Sequence, residues 1–177
     1  MWLVIFDINM NGLKDDQLII NYKKKIMVEI VRTDSGSEDF YELVRLLDSY
    51  LAVTDGDDHS FYDQFNKIDM LNNVVLVYKD GLAVACGAVK EYSPGVMEVK
   101  RMYTRPEFRG QKIASKVLQE LEKWSLELGY HTCILETGRR QEEAVGLYQH
   151  TGYTIIPNYG QYQDVAYSLC FEKKLIL

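Results

Sequence analysis

Apolar and polar positions along this chain follow two periods, and the switches between them mark its elements. Val28-Glu29-Ile30-Val31-Arg32 alternates as a half-buried strand does. Asp34, Ser35 and Ser37 then offer oxygens that can cap a helix N-terminus. Phe40, Leu43, Val44, Leu47 and Leu51 recur at helical spacing, which predicts a helix with one buried face. The loop Asp55-Gly56-Asp57-Asp58-His59 leads to a short helix marked by Phe61, Phe65 and Ile68. Val74 to Tyr78, the turn Lys79-Asp80-Gly81 and Leu82 to Tyr92 read as a hairpin, and Ser93-Pro94-Gly95 turns the chain into Val96 to Thr104. After Gly110 comes the most regular helix of the sequence. Ile113, Val117, Leu118, Leu121, Trp124 and Leu128 form its apolar stripe, with Lys116, Gln119, Glu120, Glu122 and Lys123 facing water and Gly129 as a natural stop. A strand at Thr132 to Glu136, a helix near Gln141 to Gln149, a short strand at Tyr153 to Ile156 and a longer one at Val165 to Glu172 complete the order.

Tight turns make the central strands antiparallel, whereas the crossover through the long helix makes the next strand parallel to its predecessor. The expected fold is α/β, with a central mixed and mostly antiparallel sheet of about seven strands and helices on both faces. Residues 27–177 are expected to form one domain, with residues 1–26 an N-terminal extension and Met27 the initiator. An intact N-terminus at Met1, read by mass spectrometry of the natively expressed protein, would overturn that start.

A chain of 177 residues can bury a single sizeable core. Its formal charge of −6 argues against a nucleic-acid partner. A local basic cluster is still present in Lys100, Arg101, Arg105, Arg109 and Lys112. Cys86, Cys133 and Cys170 sit in apolar, strand-like runs without metal-ligand spacing, so they are expected to be reduced core thiols of a cytoplasmic protein. No metal site and no membrane span is expected from the sequence.

The segment Met97 to Ser115 holds the clearest chemistry. A strand, a Pro-containing turn and a Gly-containing helix entry bring unpaired N–H groups and a positive helix dipole to one point, a ready phosphate site. Gly110 lets the backbone approach a phosphate closely, and Gln111 to Ser115 supply the N–H groups. Taken alone, Gly110 is as well explained as an ordinary strand–helix glycine.

A second block changes the balance. Glu107-Phe108-Arg109-Gly110-Gln111-Lys112 resembles the pyrophosphate motif (Q/R)-x-x-G-x-(G/A) of the GNAT superfamily of N-acetyltransferases, and Ile113-Ala114 fits its continuation. Ala144-Val145-Gly146-Leu147-Tyr148-Gln149-His150-Thr151-Gly152-Tyr153 resembles the family's A-x-x-L-Y-x-x-x-G-(F/Y) block. Glu107 and Lys112 depart from the first motif; Lys112 stands where Gly or Ala is expected, taking space but adding a cation.

The resemblance spans about Met27 to Leu177 and implies an acyltransferase that moves acetyl from acetyl-CoA to a primary amine by direct attack in a ternary complex. The alternative is a non-catalytic CoA-binding module of the same fold, a sensor or scaffold. A nucleotide-binding fold of Rossmann type lacks its G-x-G-x-x-G here. The resemblance gives Tyr148 the role of acid for the departing thiolate, which suits a phenol of ordinary pKa about 10. It places the acyl carrier against the backbone of Met102, Tyr103 and Thr104 and the pyrophosphate at Arg109 to Ser115, with Ala144 alongside. Glu98, four residues before Met102, is expected on the same strand face and is either a general base or a solvent-facing glutamate. Arg101 is expected on the other face, where Glu136 is a candidate partner. Asp57, Asp58, His59, Tyr62, Asn66 and Tyr159 fall where the family shapes its acceptor pocket, although the aspartates read equally well as a solvated turn. The implied partner is a small-molecule amine or a protein amino group, and homodimers are common in the family.

Overall fold

A computed structural model describes residues 27–54 and 71–176. Its strands are β1 (Val28–Thr33), β2 (Asn73–Lys79), β3 (Leu82–Ser93), β4 (Val96–Thr104), β5 (Thr132–Gly138), β6 (Thr154–Ile156) and β7 (Ser168–Lys174). Its helices, among the described residues, are α1 (Glu38–Thr54), α2 (Ile113–Glu127) and α3 (Glu142–His150). The strands form one sheet in the order β1-β2-β3-β4-β5-β7-β6. Every neighbouring pair is antiparallel except β4 and β5, which the α2 crossover makes parallel.

The helical stripe of α1 is buried as its spacing predicts: Phe40, Leu43, Val44, Leu47 and Leu51 pack on Val74, Leu76, Cys86, Ala88 and Tyr103 of the sheet. The opposite face carries α2 and α3. There Ile113, Val117, Leu118 and Leu121 meet Val75, Val77, Ala85, Val89 and Val99, with Tyr148, Tyr153 and Phe171 nearby.

The buried face of α2 differs from its predicted stripe. Glu122, expected in water, is buried, because Lys173 of β7 reaches its Oε2 at 2.7 Å. Leu128 is 48% exposed instead, since the helix has already ended at Glu127. The last strand also starts later than predicted. Turn bonds from Val165 N–H to the Tyr162 carbonyl and from Ser168 N–H to the Val165 carbonyl keep the preceding residues out of the sheet. Burial pushes the Cys86 thiol up to about 12 and those of Cys133 and Cys170 to about 11, so all three are inert core thiols at neutral pH.

Candidate active site

Two irregularities in β4 build the site. The first is a bulge. Lys100 pairs with Ala88 and Tyr103 with Cys86, so Arg101 and Met102 together oppose Gly87. Arg101 takes φ 58°, the left-handed backbone of the bulge type whose first residue is usually glycine. The extra residue resets the alternation. Met97, Val99 and Met102 all pack in the core beneath α2 and α3, so Glu98, between the first two, points to the α1 side. Glu98 and Met102 therefore lie on opposite faces, contrary to the period-two expectation.

The second irregularity is a separation. β4 and β5 pair only at Val96–Thr132, Met97–Cys133 and Glu98–Ile134, and beyond that point the strands diverge. β4 stays bound to β3 and β5 to β7, so each keeps one edge facing the gap. The gap opens into a cavity of about 530 Å³, running from Leu47, Tyr50 and Leu51 of α1 to Ala144, Leu147 and Tyr148 of α3. Met102, Tyr103 and Thr104 line it, as do Ile113, Ala114 and Ser115 at the N-terminus of α2.

That N-terminus is shaped by two left-handed residues, Gly110 at φ 73° and Lys112 at φ 59°. Lys112 is the cap residue, and the first helical bond runs from Lys116 N–H to the Lys112 carbonyl. Hence Ile113, Ala114 and Ser115 carry the N–H groups without intrahelical acceptors, and Gln111 lies before the helix rather than in its first turn. Gln111 is exposed, and its Oε1 accepts from Lys79 Nζ at 2.6 Å. Sliding the glycine motif by two places sets Arg109 at its first position, Lys112 at its glycine and Ala114 at its last. The left-handed backbone of Lys112 fits that frame. A non-glycine residue there costs about 1–2 kcal/mol, and the greater freedom of glycine in the unfolded chain takes back about 0.4–1 kcal/mol, so Lys112→Gly is expected to raise stability by about 0.5–1 kcal/mol. A urea midpoint unchanged or lower than that of the wild type would contradict it.

Four of the five cations in the basic cluster of the sequence, Lys100, Arg101, Arg105 and Arg109, meet acidic partners. Arg101 pairs with Asp48 of α1, while Glu136 accepts instead from Ser168 Oγ at 2.6 Å. Arg105 reaches Glu42 at 2.6 Å, and Lys100 reaches Glu98 at 3.1 Å. Arg109 stays at the cleft mouth. Its Nε donates to the Thr104 carbonyl at 3.2 Å, its guanidinium meets Glu143 at 3.0 Å, and it lies 5.0 Å over the Tyr50 ring.

At the inner end, Tyr148 is 5% exposed, its ring against Tyr153 and Phe171 at centroid distances of 5.8 Å. Burial, and then the charge of Glu136, hold its phenol well above its ordinary pKa. Tyr159 stands behind the cleft wall, its hydroxyl donating to Glu98 Oε1 at 3.0 Å, while Tyr162 lines the cavity. Asp57, Asp58, His59, Tyr62 and Asn66 lie outside the described residues. Sequence reasoning missed Glu136 as a second cleft carboxylate, together with Leu47, Tyr50 and Leu51. The fixed alternation of Ile134 and Glu136 about the buried Leu135 offered a signal for Glu136, but only once the β4–β5 gap was known.

A sheet split over a helix N-terminus, with a buried phenol at its inner end, is an arrangement suited to an acyltransferase. The chain belongs to the acetyltransferase (GNAT) family, whose sequence model matches residues 37–153. It is 31% identical over 137 residues to an uncharacterized N-acetyltransferase of Schizosaccharomyces pombe, covering 72% of this chain and 82% of that one. An IAA acetyltransferase of Azospirillum brasilense is 28% identical over 150 residues, covering 84% and 98%. A Klebsiella pneumoniae protein whose crystal structure carries a provisional acyl-CoA N-acyltransferase name superposes with a TM-score of 0.72 at 28% identity, covering 85% and 99%. A GNAT acetyltransferase of Elizabethkingia anophelis, solved with acetyl-CoA bound, shares the fold at a TM-score of 0.62 and 16% identity, covering 84% and 98%. Among the described residues no helix is long and apolar enough to cross a membrane.

Proposed function

We propose that this chain transfers an acetyl group from acetyl-CoA to a primary amine by direct attack in a ternary complex. The observation that carries the reading is the parting of β4 from β5 after Glu98 and Ile134, directly over the N-terminus of α2. The residues present fit the acyl donor. Ile113 to Ser115 offer N–H groups and a positive dipole end to a pyrophosphate, and nothing lies within 4 Å of where a Cβ would stand on Gly110. The free edge of β4 from Met102 to Thr104 can pair with an extended amide-bearing arm, as an added strand would. When bound, acetyl-CoA supplies the activated thioester.

On the α1 side, Glu98 and Glu136 present two carboxylates to the gap. They attract a protonated amine and take up its proton, directly or through water. From the α3 side, Tyr148 keeps its proton at neutral pH and donates it to the departing thiolate. Calorimetry with acetyl-CoA, followed by release of free CoA on addition of an amine panel, tests the reading. Binding at micromolar level and amine-dependent release are expected. Binding without release for every amine would leave a module that holds CoA and does no chemistry. No binding at all would remove the reading.

A further inference from the structure

We infer that Tyr159 is a positioning residue, setting the carboxylate of Glu98 for the acceptor amine; the inference rests on the reading of Glu98 as the proton acceptor. Glu98 is 8% exposed, and each of its oxygens already has a donor: the Tyr159 hydroxyl on Oε1 at 3.0 Å and Lys100 Nζ on Oε2 at 3.1 Å. Two donors fix the carboxylate plane. A carboxylate offers about four acceptor sites, so two remain for an ammonium or a water. Lys100 is a flexible cation on the same strand and cannot define direction as a rigid phenol does.

The Tyr159 ring is itself held from several elements. It meets Tyr92 of β3 edge-on at 5.1 Å and Tyr162 at 5.8 Å. The next residue, Gly160, takes φ 52°, and a Cβ there would sit 3.4 Å from the Tyr92 hydroxyl. Asn158 Nδ2 closes the loop by donating to the Val165 carbonyl at 2.9 Å. With the ring so fixed, the hydroxyl has one place to point. Burial, and then the negative charge of Glu98, raise the Tyr159 phenol far above its ordinary range, so it remains a donor throughout the working pH.

Among the described residues, the titratable groups near Glu98 are Lys100 on its own strand, Tyr159 and Tyr162 from the loop, Glu136 on β5 in the same cavity, and the Cys170 thiol of β7. Removing the hydroxyl in Tyr159→Phe keeps the ring and its contacts but takes one donor from the carboxylate. Oε1 then has lost its rigid partner, and the carboxylate plane is held only by the flexible Lys100. The amine meets a correctly aimed oxygen less often.

The test is kcat and KM for the amine and for acetyl-CoA in wild type, Tyr159→Phe, Glu98→Gln and the double variant. Tyr159→Phe is expected to lower kcat and kcat/KM for the amine alike, about tenfold at neutral pH, and to leave both KM values unchanged. In the Glu98→Gln background the same change is expected to add nothing. An equal loss in both backgrounds, or a loss carried by KM alone, would overturn the inference and leave Tyr159 a wall residue. Full activity in Tyr159→Phe would overturn it as well. Wild-type kcat and kcat/KM in Glu98→Gln would instead remove the reading of Glu98, and the inference with it.

Discussion

Replacing Tyr148 by Phe is expected to lower the acetyl-transfer rate at saturating substrates by about 10²–10³-fold while changing the acetyl-CoA KM less than about threefold. The asymmetry follows from where the phenol sits. Its ring packs on Tyr153 and Phe171, and Phe keeps those contacts, so the wall of the cleft is preserved. Only the O–H is lost, and on the proposed reading that bond matters when the thiolate leaves, not when the thioester binds. The direction of the pKa shift also has a consequence. Burial penalises phenolate, so Tyr148 stays protonated through neutral and mildly alkaline pH and can donate there. A fall in wild-type kcat below about pH 9 on the alkaline side must then come from another group. A Tyr148→Phe variant that turns over at the wild-type rate would remove Tyr148 as the acid.

Much of this arrangement could be read from residue order because it depends on local period. The α1 stripe, the extent of β4 and the turn at Lys79-Asp80-Gly81 are set by neighbours a few positions apart. What escaped depends on partners distant in sequence. The bulge exists because β4 has one residue more than β3 at that point, a count made across two strands. A strict alternation from Glu98 to Met102 cannot detect it, and so placed both on one face. Arg101 finds Asp48 on α1, fifty-three positions away, and Glu122 is buried by Lys173, fifty-one positions away. The pyrophosphate turn is legible as chemistry but not in its register. Gly110 is the one glycine the motif can use in the sequence, and only the backbone angle of Lys112 shows which residue stands at the helix cap.

Gly87 is where fold and site meet, and Gly87→Val is expected to destabilise the protein by about 3 kcal/mol. A Cβ at that position would lie 2.4 Å from Met102 Sδ, 2.8 Å from Val117 Cγ1 and 3.0 Å from Leu121 Cδ1. The methionine can swing aside, because its unbranched side chain has several low-energy paths. Val117 cannot, being β-branched in a helix and fully buried. Relief must therefore come from shifting α2 off the sheet or pushing Met102 outward. Either movement disturbs the cleft, since Met102 is the second bulge residue and Ile113 to Ser115 lie at the head of the same α2. Gly146→Ala serves as the matched control. Gly146 sits in α3 with nothing within 4 Å of its Cβ position and is expected to gain up to about 1 kcal/mol from helix propensity. Urea midpoints for the two variants should thus move in opposite directions. The surviving folded fraction of Gly87→Val should also bind acetyl-CoA more weakly, as Gly146→Ala should not. A Gly87→Val midpoint equal to that of the wild type would mean that β3 and α2 are not packed as closely as the contacts at Gly87 require.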